Sequence, residues 1–369
     1  MSLAGWRKAV LDVAAKFALP GGVTDIDVLA RGHIHHSFVV SCLDASCPAR
    51  FLFQEINVRV FRQPKVLMQN IELVTRHLAH AGEPASVELR LLETKGGDYL
   101  YCDARGKFWR AFYFIEGSIS FDCVDTPSQA FDVGRAYGQF QRRLLDLDVS
   151  RLAATIPDFH NTAYYYREFE ETVNTDCCGR VSKARDVVEF ARRHQSLLGQ
   201  LDGLIEGGQI PVRIAHNDAK LDNVLFDAAS SRPLCVVDLD TAMPGIAIHD
   251  FGDLVRTGSG RFAEDELTLE KVQVDLELFQ SLAEGYLSEG HYFLTSAELR
   301  HLLYAGKLIT FETGIRFLTD YLAGDVYFQV GHGAHNLERA RVQFTLLASI
   351  FRNSDSMEDI IQSVVSEVK

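Results

Sequence analysis

The sequence predicts an α+β chain of two lobes, a small antiparallel sheet carrying one helix and then a larger, mainly helical lobe. Three observations predict it. Short apolar runs bounded by turn residues fill the first 115 positions. From about residue 127 the apolar residues recur at helical spacing. One β-rich island, residues 223–240, interrupts those helices.

Residues 6–18 read as a helix. Residues 25–29 and 38–41 read as strands joined through Gly32-His33-Ile34-His35-His36-Ser37, and residues 51–56 as a third strand. Residues 64–80 place Val66, Leu67, Ile71, Val74 and Leu78 on one helical face, with Pro64 where a first turn tolerates it. Residues 99–101 and 108–115 read as a closing hairpin about Gly106. The composition shifts at Glu116-Gly117-Ser118, so the lobes are expected at 1–115 and 116–369. Beyond that boundary, helices are predicted over 127–146, 181–204, 267–288, 297–320, 334–352 and 356–367, with strands at 223–226 and 234–240.

The chain has 369 residues, 47% of them hydrophobic, which supplies a large core and excludes a disordered chain. A formal net charge of −13 argues against general affinity for nucleic acid or anionic membrane, because both reward basic surfaces. The seven cysteines form no CxxC pair, and Cys177 and Cys178 are adjacent. They read as reduced thiols, not as a zinc site or a disulfide framework. With no signal-peptide pattern and no run long enough to span a membrane, a cytoplasmic location is expected. The oligomeric state is left open.

The stretch His216-Asn217-Asp218-Ala219-Lys220-Leu221-Asp222-Asn223, followed by Val237-Asp238-Leu239-Asp240, holds the residue types that phosphoryl transfer from ATP requires. That chemistry needs an oriented acceptor hydroxyl that loses its proton, and phosphates neutralised by Mg²⁺ and side-chain cations. Asp218 is the candidate base. A strand–turn–strand hairpin brings Asn223 and Asp238 together as hard oxygen donors of the kind Mg²⁺ prefers. Lys220 is spaced to pair with the migrating γ-phosphate, and His216 to brace the loop. A charged surface turn explains an isolated His-x-Asp but not the whole pattern.

Further segments carry a family resemblance. They are Phe53-Gln54-Glu55-Ile56-Asn57 with Val60-Phe61, the run from 237 to 245, Asp250-Phe251-Gly252-Asp253, the block 314–328, and His335-Asn336-Leu337. Together with the loop motif they make most of the chain resemble the aminoglycoside phosphotransferase and choline kinase superfamily, which has a protein-kinase-like fold. The C-terminal block is similar to that of N-acetylhexosamine 1-kinases and related sugar kinases. The resemblance implies a bilobal kinase-like fold, ATP as co-substrate, Asp218 as catalytic base, and Asn223 and Asp238 as the Mg²⁺ ligands. It implies that Thr241, Arg316 and Tyr327 bind a sugar beside the base, with the anomeric hydroxyl as acceptor. By analogy of fold, Ile115 and Glu116 offer backbone groups to the adenine edge, and the turn at Gly32 covers phosphates.

Two features depart from the kinase pattern. Gln54 stands where many kinases carry a strand lysine. Leu52 shares its face, so Leu52 is expected to cover adenine and Gln54 to face the phosphates. Glu72 then lacks its usual lysine, and Lys220 or Arg59 is expected to supply the charge. The first turn has one glycine in place of GxGxxG, and His33 and His35 on it have no third metal ligand at suitable spacing. Asp250 is expected to brace the catalytic loop. The alternative acceptors are an aminoglycoside, choline or another amino alcohol. The alternative from another class is a nucleotide-binding pseudokinase.

Overall fold

A computed structural model describes residues 3–29, 34–44, 47–81 and 87–367. The chain divides into two compact units, residues 1–118 with 151–156, and residues 119–150 with 157–369.

The first unit opens with helix α1 (Leu3–Ala14). Five antiparallel strands follow, β1 (Val23–Leu29), β2 (His36–Asp44), β3 (Cys47–Glu55), β4 (Tyr101–Cys102) and β5 (Phe108–Tyr113), in the order β1-β2-β3-β5-β4. Strand periodicity divides β3 cleanly. Phe51 and Phe53 enter a core with Val10, Phe17, Phe38, Val40 and Trp109, while Leu52 and Gln54 occupy the opposite, half-buried face. Helix α2 (Pro64–Ala81) buries Leu67, Ile71, Val74 and Leu78 of the stripe its period predicts, while Val66 is half-buried and Met68 takes a place in the core. Asn70 on α2 exchanges a reciprocal pair of hydrogen bonds with the backbone of Ala153, at 2.7 and 3.1 Å, which holds the returning segment 151–156 to this unit. Strand β6 (Ser118–Ile119) lies at the junction of the two units.

In the second unit, helix α3 (Pro127–Arg143) begins with Pro127 in its first turn and a reciprocal capping box between Thr126 and Gln129. Helix α4 (Thr162–Thr175) was not anticipated, although its signals are present. Asn161 caps it by accepting the Tyr164 N–H, and Tyr166, Phe169 and Val173 form its buried stripe. The helix expected over 181–204 is instead broken into α5 (Arg185–Arg193), α6 (Asp202–Glu206) and short 3₁₀ turns. Helix α5 ends at Arg193 with His194 as its C-cap, and after a 3₁₀ turn the chain is extended at Leu198 before Gly199 turns at φ 73°.

Strands β7 (Arg213–Ala215) and β10 (Met243–Gly245), neither of them predicted, pair antiparallel. They flank the hairpin of β8 (Val224–Asp227) and β9 (Pro233–Val236). The expected strand over 234–240 ends earlier, because Asp238 takes a left-handed conformation and opens a 3₁₀ turn, Leu239–Thr241. Helices α7 (Ala247–Gly258), α8 (Leu276–Gly290), α9 (Ser296–Arg300), α10 (Leu302–Ala323), α11 (His335–Arg352) and α12 (Ser354–Glu367) complete the chain. Among the described residues no helix is long and apolar enough to cross a membrane.

Glycine lets α3 and α8 touch backbone to backbone. A β-carbon at Gly285 would lie 2.0 Å from the Phe131 carbonyl oxygen, and one at Gly134 2.2 Å from that of Leu282. Gly285→Ala is therefore expected to cost about 1–3 kcal/mol, the usual range for overpacking a filled core. A urea unfolding midpoint equal to that of the unsubstituted protein would contradict this contact.

Candidate active site

The site of the second unit grows from the turn after β7. Asp250, fully buried near the start of α7, accepts the His216 N–H at 2.9 Å and the Asn217 N–H at 2.7 Å. Its second partner on Oδ2 is the Gln141 amide, at 2.6 Å. Burial pushes the Asp250 carboxyl up from its ordinary value, while His216 and these hydrogen bonds act to lower it. The brace expected of Asp250 is thus a two-point clamp on consecutive backbone donors.

That clamp holds Asn217 at φ 61°, a conformation that costs most side chains energy but that Asn tolerates. The Asn217 amide donates to the carbonyls of Ala215 and Thr241 at 3.1 and 2.9 Å, joining the turn to the segment before β10. Gly245 is needed opposite, because a β-carbon there would sit 2.5 Å from Asn217 Oδ1. His216 is fully buried against the ring edges of Tyr137 and Phe140. Its Nδ1 accepts the Asp218 N–H at 3.3 Å, so the ring proton is on Nε2, which donates to the Val237 carbonyl at 2.9 Å. His216 is a brace between the catalytic loop and the hairpin.

Asp218, Lys220, Asn223 and Asp238 are brought together on this frame. Asn223 donates its amide N–H to the Asp218 carboxylate at 3.1 Å and to the Asp218 carbonyl at 3.0 Å, which turns its amide oxygen the other way. The Val237 N–H donates to the Asn223 carbonyl at 2.9 Å, so Asp238, exposed, follows one residue beyond that contact. Lys220 Nζ lies 3.4 Å from Asp218 and 3.7 Å from Asp222. Burial acts to raise the Asp218 carboxyl, but Lys220, His216 and Arg256 outweigh it and hold it below the usual carboxylate range. Burial acts to lower Lys220, but the charges of Asp218, Asp222, Asp238 and Glu264 hold it above its ordinary value. Both are ionised at neutral pH. The amide oxygen of Asn223 and the carboxylate of Asp238 are hard donors of the kind that fit Mg²⁺.

Arg316, on α10, lies in an aromatic box. Its guanidinium carbon is 5.0 Å from the ring centre of Tyr165, 5.1 Å from Phe159, 5.7 Å from Phe328 and 5.9 Å from Tyr327. Among the described residues no carboxylate comes within ion-pair distance of it. Burial acts to lower its pKa, but Tyr165, Tyr327, Glu312 and Asp218 outweigh it. Tyr165 in turn is pushed up to about 12 by burial, against the opposing charge of Arg316. Tyr327, half exposed, is held by Asp320, whose carboxylate accepts the backbone N–H groups of Val326, Tyr327 and Phe328 at 2.9, 2.8 and 2.9 Å. Thr241 is buried and, among the described residues, its hydroxyl oxygen has no hydrogen-bond partner. Phe159, Tyr165, Phe328 and Asp320 went unread in the sequence. The aromatic density of 159–166 and the acid inside α10 were the available signals.

In the first unit, Gln54 lies opposite Arg110 in the β3–β5 register and accepts its Nε–H at 2.9 Å, while the Gln54 amide donates to Ser37 Oγ at 3.1 Å. The cation beside Gln54 is therefore the buried Arg110. A charged residue inside the apolar strand 108–113 was its signal. Arg59 is exposed, and Glu72 pairs with Arg76 of its own helix at 2.9 Å. The Ile115 carbonyl accepts Ser118 Oγ at 2.6 Å, and Glu116 pairs with Arg50, which also stacks on Phe114. Gly32 and His33 lie outside the described residues.

A small antiparallel sheet with its helix, a helical unit, and a loop carrying His-x-Asp-x-Lys-x-x-Asn before a hairpin define a protein-kinase-like fold with a phosphotransferase loop. Residues 55–284 match the model of the phosphotransferase enzyme family, and the chain belongs to that family. The fold is similar to that of a microcompartment-associated aminopropanol kinase (14% identity, 95% of this chain and 98% of that one, TM-score 0.59). It is also similar to an aminoglycoside phosphotransferase from Alicyclobacillus acidocaldarius (11% identity, 96% and 95% covered, TM-score 0.58). A third such structure is a spectinomycin phosphotransferase in complex with ADP and spectinomycin (13% identity, 94% and 98% covered, TM-score 0.55). The superfamily and fold class expected from the sequence are thereby shown.

Asp250→Ala would leave two buried backbone donors unpaired. It is expected to lower stability by about 2–4 kcal/mol, roughly 1–2 for each orphaned group. Chemical denaturation checks this, and a loss below about 1 kcal/mol would mean that the clamp is replaceable by water.

Proposed function

We propose that this chain is an ATP- and Mg²⁺-dependent kinase that phosphorylates a sugar hydroxyl, with the anomeric hydroxyl of an N-acetylhexosamine preferred. The observation that carries the acceptor class is Arg316 in its aromatic box, without a carboxylate partner among the described residues. An unpaired guanidinium repels a cationic amino alcohol or aminoglycoside. It favours a neutral acceptor rich in oxygen, because its planar fork donates to hydroxyl and amide carbonyl oxygens. Aromatic faces such as Tyr165 and Tyr327 suit the apolar C–H faces of a sugar ring. The relatives named for amino alcohols and aminoglycosides share the fold at low identity, and the acceptor is decided in this pocket.

Asp218, ionised and fixed by Asn223, accepts the proton of the incoming hydroxyl as the bond to phosphorus forms. Lys220 balances negative charge on the transferred group. Asn223 and Asp238 would hold Mg²⁺, and the chemistry it would supply there is neutralisation of phosphate charge. The Leu52–Gln54 face of β3 takes part of the nucleotide, with Leu52 under the base and Gln54, steadied by Arg110, toward the phosphates. The backbone at Ile115 and Glu116 serves the adenine edge. A pseudokinase is disfavoured, because Asp218, Asn223 and Asp238 are residue types that phosphoryl transfer can use, and the Asn223 amide already bonds Asp218.

An ADP-release assay over hexosamines, neutral sugars, aminoglycosides and amino alcohols tests the acceptor. N-acetylhexosamines are expected to be used best, and a preference for amino alcohols would remove the sugar reading. Arg316→Ala is expected to raise the acceptor KM at least ~10-fold while leaving the ATP KM within about 2-fold, the scale of one hydrogen bond to a charged donor. Asp218→Ala is expected to lose at least ~100-fold in kcat, the scale of general-base loss. Near-native turnover by that variant would refute the assignment.

A further inference from the structure

One segment outside the motifs touches both halves of this site. His160, nearly buried and at φ 59°, lies in the turn before α4. Its Nε2 is 2.9 Å from the Asn217 carbonyl, and its Nδ1 is 2.9 Å from Glu312 Oε1. Glu312, on α10, is fully buried and accepts the Thr162 hydroxyl at 2.6 Å on its other oxygen. Each neighbour constrains the protons. A backbone carbonyl only accepts, so Nε2 carries one. The Glu312 carboxylate already accepts from Thr162, and its facing oxygen needs a donor, so the second proton belongs on Nδ1. The arrangement is a buried imidazolium–carboxylate pair with no net charge.

Every charged or titratable group facing the ring agrees. Burial acts to lower His160, but Glu312 outweighs it with support from Asp253 on α7, and the ring is raised from its ordinary value. His249, also on α7, has its ring centre 4.9 Å away and is pushed down to about 3, by burial first and then by the His160 charge. It stays neutral and adds no competing cation. Arg316 lies on the Glu312 side, one helical turn along α10.

The placement matters because of which peptide His160 grips. The Asn217 carbonyl belongs to the peptide plane whose nitrogen is that of Asp218. His160 holds the C=O of that plane and His216 Nδ1 accepts its N–H, that of Asp218, so the plane that carries Asp218 is held at both ends, while Asp250 holds the N–H of the plane before it. Glu312 sits at i, with Arg316 at i+4 on the same helical face. Phe159 and Tyr165, from the same segment, form two walls of the Arg316 box.

We infer that His160 and Glu312 are a positioning pair that joins the catalytic loop to the acceptor-side helix, setting Asp218 and Arg316 in one frame. The inference rests on the kinase reading of Asp218. Two variants separate positioning from bulk stability. In His160→Gln the amide takes the place of Nε2 and keeps a donor for the Asn217 carbonyl. In His160→Asn the amide takes the place of Nδ1 and keeps the donor for Glu312 only. Both lose one of two buried bonds, so their unfolding midpoints are expected to fall alike. The kcat of His160→Asn is expected to fall at least ~10-fold below that of His160→Gln, with the ATP KM unchanged. Equal kcat in the two folded variants would overturn the pair's role. If neither folds, Thr162→Val takes their place, with an expected loss in kcat of about 3-fold; full turnover would overturn the role as well. Histidine nitrogen-15 spectra of the whole protein give a readout without turnover. Both ring nitrogens of His160 are expected to carry protons at pH 8, and a singly protonated ring there would overturn the pair even if no acceptor is ever found. If instead the ring is doubly protonated and the unsubstituted chain phosphorylates nothing, the pair stands as a structural fact and the kinase reading of Asp218 falls, taking the positioning role with it.

Discussion

Everything at this site depends on a carboxylate that has no water to turn to. Asp250 is buried on all sides, and its two oxygens are aimed at consecutive backbone N–H groups. A buried charge must be matched by donors, and two adjacent donors face one carboxylate only when the chain between them bends sharply. The left-handed backbone of Asn217 follows directly on those two donors and turns the chain toward Asp218. From it follow the Asn217 amide bonds toward β10, the glycine at 245, and the exit direction of Asp218. The loop is held by what lies behind it, and its reactive side chains are left for ligands.

The charges in front of the loop are arranged asymmetrically. Asp218, Asp222, Asp238 and Glu264 surround Lys220, so a single ammonium is shared among several acids. That excess of negative charge suits a divalent cation and its phosphates. On the acceptor side the balance reverses. Arg316 is screened by aromatic faces, and its field reaches Asp218. Under the proposed function, these acids would form the metal side and Arg316 the acceptor side of a dipolar site, which would favour a substrate that arrives uncharged.

The parts of this arrangement that follow local rules were legible in the sequence. The hairpin expected after the loop motif is present, with Val224 paired to Val236, and Asn223 and Lys220 both lie against Asp218. The stripe of α2 and the two faces of β3 followed from period alone. The rest was hidden because it depends on contacts distant in sequence. Gln54 looked like a missing charge until the β3–β5 register put Arg110 beside it. His160 and Glu312 are 152 positions apart and neither has a motif. Asp238 interrupts its strand with a left-handed residue, which alternation cannot foresee. The helix at 181–204 failed for the opposite reason, since apolar spacing was present but the backbone leaves the helix at His194 and is extended at Leu198.

The tie between Asn70 and Ala153 has a consequence for how the chain can be divided. The smaller unit is discontinuous along the sequence, because six residues from within the larger unit's stretch complete it. A gene fragment ending at Ser118 would code for a lobe that lacks the Arg151–Ile156 segment and both Asn70–Ala153 hydrogen bonds. Chimaeras that exchange this lobe between related enzymes would have to graft two stretches of sequence, and a single crossover point does not exist.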